Sequence, residues 1–269
     1  MQDIQTGKAL TATWLDRGIA LATLTRGDEM NTLTLDLVRE LSALLDRLAG
    51  ESTRALIITG SGRAFCCGAH LRYFAGPEAT VTDPFSARDG YLAQIAQTYD
   101  RLEEMPFPTI AAVNGFALGG GFELALSCDL RVFAKSVKVG LPETRIGAVA
   151  GAGGVQKLIR HVGRSKALEW ILTGAHVDAD EAARFGLAVD VVAAEQVVPR
   201  ALELARVLRR LGPRAVAQSK RSIYVAEDVD LRSARRFGIE ALSMLVGGDE
   251  WMEGMQAFLD KRPPAFDRW

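Results

Sequence analysis

The sequence predicts an α/β core followed by a helical C-terminal region, and three observations carry that expectation. Short apolar runs bounded by Gly, Pro, Asn or Asp recur along the first part of the chain, segments of helical periodicity separate them, and strand signals stop near Glu195. Residues 1–195 are therefore assigned to the core and 196–269 to the helical region. With 269 residues, 48% of them hydrophobic, the chain can bury a full core as one large domain or as a domain with a helical appendage.

Ile19 to Thr25 suits a strand after the turn at Asp16-Arg17-Gly18, and Arg26-Gly27-Asp28 breaks it. Leu37, Leu41, Leu44, Leu45 and Leu48 then recur at helical steps until Gly50. Arg54 to Gly60 is an apolar run of the internal-strand kind, so the opening reads β–α–β. Gly60-Ser-Gly-Arg-Ala-Phe-Cys-Cys-Gly-Ala69 follows where a dinucleotide fingerprint would sit. Phe65 stands in place of its third glycine and no Gly-Lys-Ser/Thr is present, so the better candidate for function is a backbone amide at Gly68 or Ala69. Residues Ala75 to Gly90 show no period and read as a loop that shapes a pocket. Tyr91 to Glu104 returns to helical spacing, stopped by Met105-Pro-Phe-Pro108.

Pro108 to Asp129 reads as a strand, a glycine turn and a buried helix. Gly119, Gly120 and Gly121 leave backbone N–H groups bare at a helix N-terminus, and Glu123 is the one carboxylate in the apolar run Phe122 to Cys128. Two accounts fit: an oxyanion hole, or glycines that only permit close packing beside a solvated Glu123. Asp129 to Ala134 reads as a strand, and Val137 to Glu143 as an extended segment ending in a second carboxylate. The loop Ile146 to Gly154 leads into a helix through Val155, Leu158, Ile159 and Val162. Ala167 to Leu172 and Asp180 to Phe185 are helical, the latter capped by Asp178, and Ala188 to Val192 is strand-like. Helices then cover Val197–Arg210, Arg214–Ala226, Leu231–Val246 and Trp251–Asp260. Trp251, Met255, Phe258 and Leu259 form a stripe on the last one, which packs on its own subunit or meets another.

A net charge of −1, from 32 basic and 33 acidic residues, argues against a general nucleic-acid or membrane-surface role. The start Met1-Gln-Asp-Ile-Gln-Thr-Gly lacks a signal pattern and no apolar run is long enough to span a bilayer, so a cytoplasmic location is expected. Cys66, Cys67 and Cys128 have neither CxxC nor His spacing, which points to inert thiols and no metal site.

Taken together, these motifs resemble the crotonase superfamily, the enoyl-CoA hydratase/isomerase family. Leu24-Thr-Arg26 through Asn31-Thr-Leu33, Gly60 through Leu71, Pro108 through Asp129, Gly140-Leu-Pro-Glu143 through Gly154, and Ala257-Phe-Leu-Asp-Lys-Arg-Pro-Pro264 match in order, so the resemblance spans essentially the whole chain. It implies a spiral of repeated ββα units with a helical C-terminal trimerisation region, a homotrimer or a hexamer built of two trimers, and an acyl-CoA thioester substrate. Coenzyme A is then part of the substrate and no separate cofactor is expected.

The resemblance also assigns roles. The backbone N–H groups of Ala69 and Gly120 hold the thioester oxygen, Glu123 orients and deprotonates water, and Glu143 protonates C2; Gly151 helps hold the water. Arg72 falls beside the adenine and ribose, His70 is expected at the surface near the adenine end, Leu71 between them is a further substrate-binding position, and Phe258 and Lys261 match positions that reach a neighbouring subunit's CoA. This chain departs from the family pattern at Asp28, where a basic residue often meets a CoA phosphate, at His70, where Asp is usual, and at Ala150, where Pro is common. Both glutamates being present favours an enoyl-CoA hydratase, of the kind used in fatty acid β-oxidation, over a double-bond isomerase. The wording around Glu123 also resembles methylglutaconyl-CoA hydratases. Some of those relatives bind RNA through a lysine-rich first helix, but the helix Leu33 to Ala49 carries no lysine here, so no nucleic-acid partner is expected.

Overall fold

Apolar runs too short to be stable alone pair with their neighbours, and helices cover the sheets that result. The computed structural model describes residues 2–4, 6–77 and 79–268. It opens on β1 (Gln2–Ile4), β2 (Leu10–Asp16) and β3 (Ile19–Leu24), an antiparallel meander. Next comes α1 (Leu35–Ala49), capped by Thr34, whose hydroxyl oxygen accepts the Leu37 N–H at 3.3 Å; its leucine stripe is buried as the spacing requires.

Three strand–strand–helix units follow. β4 (Ala55–Gly60) and β5 (Ala64–Cys66) lead to α2 (Leu92–Glu104), β6 (Thr109–Val113) and β7 (Phe116–Leu118) to α3 (Gly120–Ser127), and β8 (Leu130–Ala134) and β9 (Lys138–Gly140) to α4 (Gly154–Thr173). β10 (Val177–Asp178), α5 (Ala179–Arg184) and β11 (Asp190–Val192) finish the core. The first strand of each unit joins a sheet of order β1-β2-β3-β4-β6-β8-β11, parallel from β3 onward, and the second joins a sheet of order β10-β9-β7-β5. Each turn of the chain thus adds one strand to both sheets, which is the expected ββα spiral.

Several local expectations are corrected. β5, β7 and β10 are strands of two or three residues beside glycine or turn residues, too short for any period to show. Within the stretch expected to be a loop, Asp83 accepts the Phe85 and Ser86 N–H groups at 2.9 and 3.0 Å and starts a wide helical turn, Ser86–Tyr91, that merges into α2; Glu78 lies outside the described residues. The two helices expected, through Val155 to Val162 and over Ala167 to Leu172, are present and meet within α4 at a kink at Gly163, where φ is +75° and ψ 164°. Asp178 does not cap α5 with its side chain, because Lys138 on the adjacent strand holds its carboxylate.

Two glycines bring the spiral's layers together where the site forms. Gly119 turns the chain from β7 into α3 with φ +55° and ψ −132°, a conformation that L side chains resist. Gly121 lies flat on β5, so close that a Cβ there would stand 1.9 Å from the Cys66 carbonyl oxygen.

The helical region consists of α6 (Val197–Arg209), α7 (Pro213–Asp228), α8 (Leu231–Ser243) and α9 (Asp249–Leu259). Val197, Ala201 and Ala205 of α6 are buried in the core. Asp129 ties α7 to the spiral: it accepts the Thr109 N–H at 2.7 Å and the Tyr224 hydroxyl at 2.9 Å and pairs with Lys220 at 2.9 Å. The end of the stripe on α9 is not covered by its own chain, since Phe258 is 82% and Leu259 72% exposed, whereas Trp251 is half-buried. Among the described residues no helix is long and apolar enough to cross a membrane.

The contact of Gly121 with Cys66 generates a stability test. Gly121→Ala must push α3 off β5, and the expected loss is about 3 kcal/mol of unfolding free energy, read from urea denaturation. A midpoint equal to that of the unsubstituted protein would show that the layers can separate freely.

Candidate active site

Both proposed oxyanion donors are peptide N–H groups, so their directions follow from where the carbonyls of the same peptide planes are tied. The Gly68 carbonyl accepts the Leu33 N–H at 2.8 Å, which fixes the plane carrying the Ala69 N–H. The Gly119 carbonyl accepts the N–H groups of Phe122 and Glu123 at 2.8 and 3.0 Å, which turns the Gly120 N–H outward from the first turn of α3. A Cβ built on Gly120 would lie 3.7 Å from the Ala69 nitrogen, so the two donors are neighbours. Among the described residues neither N–H has a partner within the chain. Two fixed, unpaired donors side by side are an arrangement able to stabilise a developing negative oxygen.

Two tyrosines, absent from the sequence-based site, hold this geometry. The Tyr99 hydroxyl donates to the Gly120 carbonyl at 2.6 Å, and the Tyr91 hydroxyl donates to the Leu33 carbonyl while accepting the His70 N–H at 3.1 Å. Both belong to the apolar face leading into and along α2, and their spacing signals core packing rather than a hydroxyl's target. Burial pushes both phenols well up, so they serve as hydrogen-bond donors throughout the ordinary pH range.

Glu123 is only 3% exposed, which removes the account of a solvated carboxylate. Its Oε1 accepts the N–H groups of Ala152 at 2.9 Å and Gly154 at 2.8 Å, where the loop meets α4. Those two amides are donors the sequence did not single out; Gly151, expected to help hold the water, is exposed on the same loop. Burial raises the Glu123 carboxyl, opposed by the Gly154 and Ala152 amides and by the Lys157 charge.

Glu143 sits on the helical turn Pro142–Ile146 just after β9. Its Oε1 lies against Gly119, 2.8 Å from where a Cβ would stand, so the acid meets the start of α3. Its Oε2 is buried with no hydrogen-bond partner. Burial, with a further push from the negative charge of Glu123, raises this carboxyl to about 7. The two glutamates thus share one electrostatic site. Next to Glu143 opens a cavity of about 460 Å³, walled by Leu141, Val149, Ala150, Val155, Ile159 and Leu172. A larger cavity, about 1120 Å³, lies between the core and α7 to α9 and includes neither glutamate.

The remaining expected positions spread outward. His70 is half-buried rather than free at the surface: its Nδ1 is 2.9 Å from the Thr32 hydroxyl and its ring meets Tyr73 edge-on at 4.9 Å. Leu71 and Arg72 follow it on an exposed helical turn. Near the substituted Asp28, Arg26 is engaged by Glu29 at 2.7 Å. Phe258 and Lys261 stand at the exposed end of α9, away from the cavity beside Glu143. Burial pushes Cys66 and Cys128 up to about 12 and Cys67 to about 11, so these thiols are poor nucleophiles. Among the described residues no His, Cys, Asp and Glu side chains gather as a metal site requires.

Comparison with known proteins identifies the family of the chain. The model of the enoyl-CoA hydratase/isomerase family matches residues 15–268. A Bacillus subtilis (strain 168) protein bearing the same hydratase/isomerase description is 38% identical over 259 residues, covering 95% of this chain and 97% of that protein. The mitochondrial methylglutaconyl-CoA hydratase of Mus musculus is 35% identical over 257 residues, 93% of this chain and 80% of the mouse protein. The crystal structure of enoyl-CoA hydratase from Bacillus anthracis superposes with a TM-score of 0.90 at 35% identity, over 96% of this chain and 99% of the other.

The coupling of the two carboxyls can be measured directly. Carbon-13 NMR of side-chain-labelled glutamate is expected to show the Glu143 carboxyl titrating near 7, and Glu123→Gln, which removes a negative neighbour, should move that midpoint down. An unmoved midpoint would mean that the two groups do not share a field.

Proposed function

The chain belongs to the enoyl-CoA hydratase/isomerase family, and we propose that within it the protein is an enoyl-CoA hydratase that adds water syn across the 2,3 double bond of an acyl-CoA thioester. The observation that carries this reading is the pair of buried glutamates beside the hole, with Glu143 raised to about 7 and so partly protonated at neutral pH.

The Ala69 and Gly120 N–H groups take the thioester oxygen, which draws electrons from the double bond and opens C3 to water. Glu123 accepts a proton as the water oxygen bonds to C3. Its Oε1 is already occupied by two amides, which leaves Oε2 for the water. Negative charge collects on the thioester oxygen as an enolate, where the two donors stabilise it. Glu143 delivers its proton to C2, the enolate collapses to the thioester, and proton exchange with solvent resets both acids. The acyl chain occupies the apolar cavity beside Glu143. Coenzyme A enters as part of the substrate, and the chemistry calls for no separate cofactor and no metal.

We further assign the thioester site to residues 1–195 and assembly to 196–269. The bare apolar surface of Phe258 and Leu259 supports association into trimers or hexamers in the cytoplasm, and in such an assembly Phe258 and Lys261 would meet a neighbour's CoA. The kinship with a methylglutaconyl-CoA hydratase supports branched or carboxylated acyl groups as further candidates, with fatty acid β-oxidation as the simplest setting.

Loss of enoyl-thioester absorbance with crotonyl-CoA and with longer and branched enoyl-CoAs tests the proposal. The protein is expected to hydrate at least one of them, and Glu123→Gln and Glu143→Gln each to lose about 10²- to 10⁴-fold in kcat/KM while remaining folded. Full hydration by either variant would end the two-carboxylate mechanism. Conversion of a 3-enoyl-CoA to its 2-enoyl isomer without any hydration would make the protein an isomerase instead.

A further inference from the structure

Behind Glu123 lies a buried ion pair that the hydration steps leave unused. Lys157, on the first turn of α4, pairs with the Glu103 carboxylate at the end of α2 and donates to the Ser127 hydroxyl at 2.7 Å. The Lys157 and Glu103 side chains are only 17% and 19% exposed. Ser127 in turn donates its hydroxyl to the Glu123 carbonyl at 2.9 Å. One ammonium therefore fastens three helices: α2, the helix that carries Glu123, and the helix whose first amide, Gly154, bonds the Glu123 carboxylate. Burying two charges costs desolvation that an apolar pair of similar volume would avoid, so the pair is not accounted for by stability alone.

We propose that Lys157 is a positioning residue for the reaction: its contacts with Glu103 and Ser127 keep the Gly154 amide and the helix that carries Glu123 in register. The assignment rests on the hydratase reading for what Glu123 does, and on the contacts for the rest.

Charges around the pair define what a titration will see. Glu123 is faced by Glu143 from the turn after β9, by Tyr99 from α2 and by Lys157. Lys157 is faced by Glu103, with Asp100 next to it on α2, and by the Cys128 thiol after α3. From α7, Tyr224 acts on the same cluster through Glu103 and Lys220 through Cys128, and the buried guanidinium of Arg131 lies on the Cys128 side with His161. The Cys128 thiol is pushed up to about 12, both phenols lie well above their ordinary value, and His161 is pushed down to about 4. Within this cluster burial raises the carboxyls of Glu103, Glu123 and Glu143, the last to about 7. Losing the Lys157 charge removes one pull toward the ionised Glu123, so its carboxyl must titrate at higher pH. A side chain that only braced the packing would lower the rate by the same factor at every pH.

The test compares the unsubstituted protein with Lys157→Met and Lys157→Arg over pH 5 to 9. Two quantities are followed, kcat/KM for enoyl-CoA hydration and the carbon-13 shift of the Glu123 carboxyl, assigned by its loss in Glu123→Gln. Lys157→Met is expected to raise the lower apparent pKa of the glutamate pair by about one unit, making hydration about tenfold slower on the acid side and recovering toward the basic side. Lys157→Arg, which keeps the charge, should stay within about twofold of the unsubstituted protein throughout. If Lys157→Met does not fold, Lys157→Gln/Glu103→Gln, which removes both buried charges together, is expected to move the limb in the same direction. A Glu123 carboxyl that titrates unchanged without Lys157, or a loss of rate that is flat in pH, overturns the assignment. The carbon signal needs no turnover, so a protein inactive on every enoyl-CoA would end the hydratase reading while the coupling of Lys157 to Glu123 was still decided.

Discussion

The structure depends on how near α3 can come to the end of β5. An oxyanion hole made of main chain needs two N–H groups from segments far apart in sequence, both unpaired, a few ångströms from one another. A side chain on Gly121 would prevent this by striking the Cys66 backbone, one on Gly119 is opposed by its φ of +55°, and one on Gly120 would have to displace the Leu33 side chain. Close approach alone is insufficient, because a peptide free to rotate can present its carbonyl instead. Both planes are tied by their own carbonyls, one to Leu33 and the other to the first turn of α3. The donors are therefore set before any ligand arrives, which is the condition under which such groups stabilise a transition state without reorganising.

Once that hole exists, the carboxylates beside it are forced into unequal states. Both are raised by burial, but Glu123 is offered two amides and a nearby ammonium, whereas Glu143 has an unpartnered Oε2 and faces another carboxylate. Two acids with the same side chain thus meet different surroundings: at Glu123 the amides and the ammonium oppose the effect of burial, while Glu143, raised to about 7, keeps its proton in part near neutral pH. The spiral supplies this asymmetry: Glu123 is carried by a helix whose neighbour's first amide, Gly154, bonds its carboxylate, whereas Glu143 meets the start of α3 with its Oε2 left unpartnered.

Much of this was legible in the sequence because glycine clusters and isolated carboxylates in apolar runs are local signals. The three glycines, Glu123, Glu143, the leucine stripe of α1 and the all-helical end each show in a window of a few residues. What escaped was of two kinds. β5, β7 and β10 are too short to carry a period, although they form the second sheet on which the hole is built. Tyr91, Tyr99, Ala152, Gly154 and Lys157 escaped because their roles are relations between segments. A tyrosine on a helix's apolar face looks like core until its hydroxyl is seen to meet a glycine carbonyl. The wide turn Ser86–Tyr91 was hidden by Pro84 and Gly90, residues that ordinarily mark loops but are tolerated at the edge of a helix opened by an aspartate cap.

In the proposed reaction, the parts that perform the chemistry and the parts that meet the acyl chain are built from different lengths of chain. The hole belongs to β5 and the start of α3, while the apolar cavity beside Glu143 is walled by the loop before α4 and by α4 itself. Only Glu143 and the loop amides join the two. A wall of Val149, Val155, Ile159 and Leu172 can change in size without altering a hydrogen bond to the oxyanion, because none of these side chains bonds to Ala69, Gly120 or Glu123. Selectivity for the acyl group can accordingly diverge within a fixed mechanism, provided the loop still delivers the Ala152 and Gly154 amides to Glu123. That loop is the one segment both properties share, and Lys157 fastens the helix that follows it.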